Sequence, residues 1–204
     1  MNAALREAEF GNAIEARKAT SSALALASTR DVQIIAALAL ARTGELTEAK
    51  RVTQDLGKRF PRDTLINGYW LPTINAAIEI NGRNPSKAIE ILQVTAPYEL
   101  GESYPQFQVG GSLYPVYVRA QAYLLLHRGD EAAAEFQKII DHRGILMNCP
   151  LGALARLGLA RAYALQGQIA KSRSSYQDFF TLWKDADPEI PILQQAKADY
   201  AKLQ

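Results

Sequence analysis

The stretch AQAYLLLHRGDEAAAEFQKII, residues 120–140, decides the fold. Ala120 is followed three residues later by Tyr123, and a short polar turn, His127 to Asp130, comes next. Beyond it, Ala132 stands nine residues after Tyr123, and Phe136 four after that. This is a pair of antiparallel helices. Small side chains let their backbones approach, and an aromatic fills the groove beside the contact. One such hairpin cannot bury both of its faces, so copies must stack on one another.

The pattern recurs on both sides. Residues 160–179 carry Ala160, Tyr163, Ser172 and Tyr176 at the same offsets. Residues 41–61 carry Ala49, Leu56 and Pro61, preceded by Ala37 and Leu40. Weaker copies centre on Ala88, in NGRNPSKAIEILQV, and Ala16, in FGNAIEARKATSSAL. The small residues that mark each second helix are therefore 16, 49, 88, 132 and 172, at intervals of 33, 39, 44 and 40. A period of this size is the mark of a helical repeat array.

Composition agrees. The 204 residues include 33 alanines, and Ala is the best helix former. The apolar fraction of 48% supports a core and excludes disorder. One Cys excludes a disulfide framework and a Cys-built zinc site. A net charge of +2 gives no electrostatic case for nucleic acid. The longest apolar run, Ile34 to Ala41, has eight residues, whereas a membrane span needs about 20. The first residues carry charges where a signal peptide is apolar. No membrane segment is expected within the chain.

The spacing resembles the tetratricopeptide repeat, a 34-residue helix-turn-helix unit. Matching residues are Ala37, Leu40, Gly44, Ala49, Leu56 and Pro61, then Ala120, Tyr123, Ala132 and Phe136, then Leu159, Ala160, Tyr163 and Tyr176. Departures are the missing opening Trp, Ser172 in place of Ala, and Glu79 in place of an aromatic. The stretches beginning DTLINGYW, LYPVYVRA and PLGALARL are also similar to the C-terminal repeat region of large bacterial eukaryotic-like serine/threonine kinases. The resemblance implies an all-α, right-handed superhelical solenoid of antiparallel helix pairs. Approximate repeats are 1–29, 30–62, 63–97, 112–144 and 149–184, with a loop over 97–112 and a capping helix over 187–203. It implies a non-catalytic scaffold that presents a concave groove to a peptide or partner protein. Alternatives are a self-association or regulatory module of a kinase or transcription regulator, and an enzyme or ligand sensor beside the 97–112 loop. In this family the first helix of each pair lines the groove. By helical offset the partner-binding residues would be Arg42, Trp70, Tyr114, Tyr117, Gln121, Leu124, Arg161 and Leu165. No cofactor is implied. In the kinase relatives a membrane helix can precede the repeats, so the resemblance fits either side of a membrane.

Helices are expected over 2–10, 12–28, 31–43, 45–59, 63–81, 84–95, 113–128, 130–141, 150–166, 168–183 and 188–203. Asp187-Pro188-Glu189 reads as the start of the last one. Only about nine residues precede the turn at Gly11, so the chain reads as a segment that begins inside a repeat.

The remaining motifs read as structure. His127-Arg128-Gly129-Asp130 lacks the companions of a kinase catalytic loop and falls at a helix-helix turn, where Gly129 would supply a positive φ. His127 and His142 lie at opposite ends of a helix of roughly 18 Å and cannot share a metal. Cys149 precedes Pro150 without a catalytic base. Lys50, Arg51, Lys58, Arg59 and Arg62 read as a solvated face. The aromatics Tyr69, Trp70, Tyr104, Phe107, Tyr114 and Tyr117 are the better lead to a binding surface.

Overall fold

The computed structural model describes residues 1–101, 113–146 and 149–203, and no strand occurs among them. Most of the 97–112 segment, with Tyr104 and Phe107, lies outside the described residues. The chain divides into two compact units, Met1–Glu99 and Leu100–Gln204.

In the first unit, α1 (Asn2–Phe10) pairs with α2 (Ala13–Leu26), and α3 (Arg30–Arg42) with α4 (Leu46–Arg59). There, too, α5 (Leu71–Asn81) pairs with α6 (Pro85–Leu92). Each pair packs on the next through α1–α3, α2–α3, α3–α5 and α4–α5. In the second unit, α7 (Tyr114–Leu125) pairs with α8 (Gly129–Asp141), and the short α9 (Arg143–Leu146) follows. After it, α10 (Leu151–Leu165) pairs with α11 (Ile169–Leu182), and α12 (Pro191–Ala201) packs on α11. Helix α10 rests on both α7 and α8.

All five hairpin turns share one geometry. Gly11, Gly44, Arg83, His127 and Gly167 adopt a positive φ, each five residues before a small marker residue. The amide of each bonds the carbonyl three residues back, and the next amide bonds the carbonyl five back, as in Asn12 to Glu7 and Arg128 to Tyr123. This is the Schellman arrangement, which satisfies carbonyls that a helix end leaves orphaned. The left-handed residue in the fourth turn is therefore His127, and Gly129 is not one of them. Gly129 instead sits in a tight space, because a Cβ there would meet the Ala162 carbonyl oxygen at 3.0 Å.

The small residues do what their spacing implies. Ala16, Ala49, Ala88, Ala132 and Ser172 are fully buried, as are Ala4, Ala37, Ala76, Ala120 and Ala160, each twelve positions earlier. Ser172 repays its hydroxyl by donating a 2.8 Å hydrogen bond to the Ala160 carbonyl across the hairpin. Thr20 and Thr53, which stand where an aromatic is expected, are buried and bond the carbonyls of Ala16 and Ala49 at 2.7 and 2.6 Å. Phe136 covers Gly158 of α10 so closely that a Cβ there would lie 2.2 Å from the ring.

Helix α9 falls outside the expected spans. The helix expected over 84–95 gives way after Leu92 to a 3-10 turn, Gln93–Tyr98, that enters the expected loop. Two further boundaries are set by proline. Pro72 has no amide hydrogen, so the helix expected over 63–81 opens with a π-turn, Ile66–Trp70, in which the Leu71 amide reaches the Ile66 carbonyl. The last helix begins at Pro191, and the Asp187 carboxylate instead accepts the Glu189 amide in a turn outside it. Extended backbone at Ile190 (ψ 122°), as expected before proline, sets the start.

Gly44 has nothing within 4 Å of an added Cβ, so Gly44→Ala isolates the backbone effect and should cost roughly 1–2 kcal/mol in urea unfolding. Arg83→Gly should stabilise by up to about 1 kcal/mol for the converse reason. Gly158→Ala should destabilise by about 3 kcal/mol, because Phe136 must leave its site. A Gly158→Ala protein with wild-type stability would show that the Phe136 contact yields freely.

Candidate functional site

The first helix of each pair carries the residues expected to meet a partner. Seven positions before the markers stand Glu9, Arg42, Asn81, Leu125 and Leu165; eleven before stand Leu5, Leu38, Ala77, Gln121 and Arg161. Within each unit, equivalent residues on successive first helices thus form rows.

In the first unit the row is neutralised from within. Arg42 on α3 meets Glu9 on α1, with Nε 2.8 Å from Oε1 and Nη2 3.0 Å from Oε2. The Glu9 side chain is wholly buried and Arg42 nearly so. The fork-to-carboxylate geometry holds neighbouring first helices together. Trp70 is only 7% exposed and sits edge-on to Tyr69, with centroids 4.6 Å apart.

In the second unit, Tyr114 is fully buried and Tyr117 is 3% exposed. Tyr117 lies 6.1 Å from the Tyr114 ring and 6.2 Å from Phe136, so the two tyrosines serve the core of the hairpin. Arg119, the basic residue of α7, has its side chain largely buried against Glu135 of α8, at 2.7 Å. Gln121 and Leu124 are partly exposed, and Leu165 is 42% exposed. Leu125, at 54%, shares the row of Leu165 on a helix that packs against α10. The Gln121 carbonyl oxygen is buried without a hydrogen-bond partner. Arg161 is paired: its Nε and Nη2 lie 3.1 and 3.0 Å from one oxygen of Asp199 on α12. Burial raises the pKa of the neighbouring Tyr176 hydroxyl, and the Arg161 charge opposes the shift. That raised value adds stability that is full below the ordinary tyrosine range and lost as pH climbs through the folded value.

Of the eight residues placed by offset, Gln121, Leu124 and Leu165 thus offer open surface in the second unit, together with Leu125. Trp70, Tyr114 and Tyr117 are packing residues, and Arg42 and Arg161 are ion-paired. The reading of residues passed over Glu9, Asp199 and Leu125. Glu9 and Leu125 share the offset of Arg42 and Leu165, so the row itself would have found them. Asp199 lies beyond the last marker, and no offset reaches it.

Elsewhere, Arg51 and Arg59 of the basic run are paired. Arg51 meets Glu48 at 2.6 Å and holds its carboxyl below the usual range, while Arg59 meets Asp55 at 3.3 Å and Gln33 at 2.9 Å. Among the described residues, no group of three or more His, Cys, Asp or Glu could hold a metal ion. No described helix is long and apolar enough to cross a membrane. Compared with protein-family models, curated proteins and solved structures, the chain matches none.

Glu9→Ala strands the Arg42 charge and should cost about 3 kcal/mol in urea unfolding, whereas Glu9→Leu with Arg42→Met should recover most of that loss. Additive single and double effects in this cycle would show that the pair does not act as a unit.

Proposed function

We propose that this chain is a non-catalytic interaction module, a solenoid of tetratricopeptide type whose first helices line a groove for a peptide or partner protein. The observation that carries the reading is the open apolar row Leu125 and Leu165, beside the partly exposed Gln121 and Leu124. Exposed leucines in register on adjacent helices suit the apolar anchors of a bound segment. The constant hairpin geometry supports the array, because stacked repeats present equivalent side chains at regular spacing. By its resemblance to the repeat regions of bacterial serine/threonine kinases, the module would serve a larger signalling protein.

The test is a peptide-display selection on the full chain, followed by anisotropy titration of the selected peptides. Leu125→Asp and Leu165→Asp should each weaken binding about tenfold or more, since loss of an anchor exceeds about 1 kcal/mol. Ile14→Asp, on exposed α2 surface, should leave it unchanged. Peptides that bind equally well to the two groove variants would refute the assignment.

A further inference from the structure

We propose that the exposed face of α2 and α4, in the first unit, docks on an anionic phospholipid surface. The groove reading concerns the second unit, and neither depends on the other.

The distribution of charge leads there first. Helices α2 and α4 carry six Lys and Arg against Glu15, Glu48 and Asp55. The other four α-helices of the unit carry four against five acids. The cations of the unit are therefore gathered on this pair. Its acids are also set apart. Glu48 and Asp55, seven residues apart, share one side of α4 and are taken by Arg51 and Arg59. Lys50, Gln54 and Lys58 recur every four residues on a separate stripe, and Arg62 follows just beyond the helix. Lys50, Lys58, Arg62 and Lys18 of α2 are exposed and have no acid partner among the described residues. Arg17 of α2 meets Glu45 at 2.7 Å, which sets α2 beside the start of α4.

The second observation is an uncharged tip. From Ala19 to Thr29, eleven residues carry no charge. Ser21, Ser22 and residues 25–29 are all exposed. Leu26 is 88% exposed and Ile14, at the other end of α2, 72%; these are the two most exposed large apolar side chains of the described residues. Cations stand next to the tip. Arg59 donates to the Gln33 amide oxygen at 2.9 Å, and the Gln33 amide donates to the Ser28 hydroxyl at 2.9 Å. Arg30 reaches Asp63, the neighbour of Arg62, at 3.0 Å. A segment without charge can leave water without the cost of desolvating an ion.

The spacing of the apolar residues favours lipid over a protein. Ile14 and Leu26 lie roughly 18 Å apart along the helix, so they form no continuous apolar core for a protein interface to close over. A headgroup layer accepts such side chains one at a time, while Lys side chains beside them reach the phosphates. The unpaired cations supply the complementary charge, each worth about fivefold in partition to an anionic surface.

The test is co-sedimentation of the full chain with vesicles of equimolar phosphatidylglycerol and phosphatidylcholine, and with phosphatidylcholine alone. Binding should be at least about tenfold tighter to the anionic vesicles and should weaken as salt is raised. Lys18→Gln, Lys50→Gln, Lys58→Gln and Arg62→Gln together should weaken it about a hundredfold or more. Arg143→Gln with Lys197→Gln, at exposed cations of the second unit, should leave it unchanged. Leu26→Gln and Ile14→Asp should each cost about tenfold. Ile14→Asp leaves peptide binding intact under the groove reading, so the two proposals fail separately. Binding that ignores lipid charge overturns the proposal, as does a fourfold variant that binds like wild type. Tighter binding to polyglutamate or to a DNA duplex than to the vesicles, with no effect of Leu26→Gln, would assign the face to a soluble polyanion and also overturn it.

Discussion

Two helix backbones come together at each hairpin only because the residues between them are small, and the rest of the structure depends on that approach. Ten fully buried Ala and Ser positions, two per hairpin, set the distance between partner helices. That distance fixes where the chain must turn. Five residues before each marker it enters the left-handed region, and the amide of that residue and the next one close the end of the first helix. Turn and close contact are one device. A larger marker would push the helices apart and take the turn out of register. Ser172 fits because its extra atom is spent on a carbonyl of the facing helix.

Much of this was legible. The marker spacing located all five hairpins, and the expected helix spans fall within a few residues of the observed ones. What periodicity missed came from local chemistry with its own rules. Proline decided the start of α12 and the π-turn before α5. The left-handed role fell to His127 because the turn counts from the marker, while Gly129 answered to a neighbouring helix that no local window contains.

The candidate surface was less legible for a physical reason. Aromatic and Arg side chains are the ones that anchor interfaces, but they also fill cores and join helices, and sequence offset does not separate these uses. Trp70, Tyr114 and Tyr117 are buried among neighbouring side chains. Arg42 and Arg161 face carboxylates from adjacent helices. The electrostatics of the first-helix rows are therefore largely spent on internal cohesion. The exposed surface retained by the second unit is aliphatic and amide in character.

The turn geometry also governs how such a chain can change its length. Between one left-handed residue and its marker the count never varies, whereas from one hairpin to the next it runs from 33 to 44. Differences in repeat length therefore fall outside the turn-to-marker span. Anyone grafting a tag, a probe or a foreign peptide would do best to use the connectors between hairpins, for instance around Ala27–Ser28, and to leave the turns untouched.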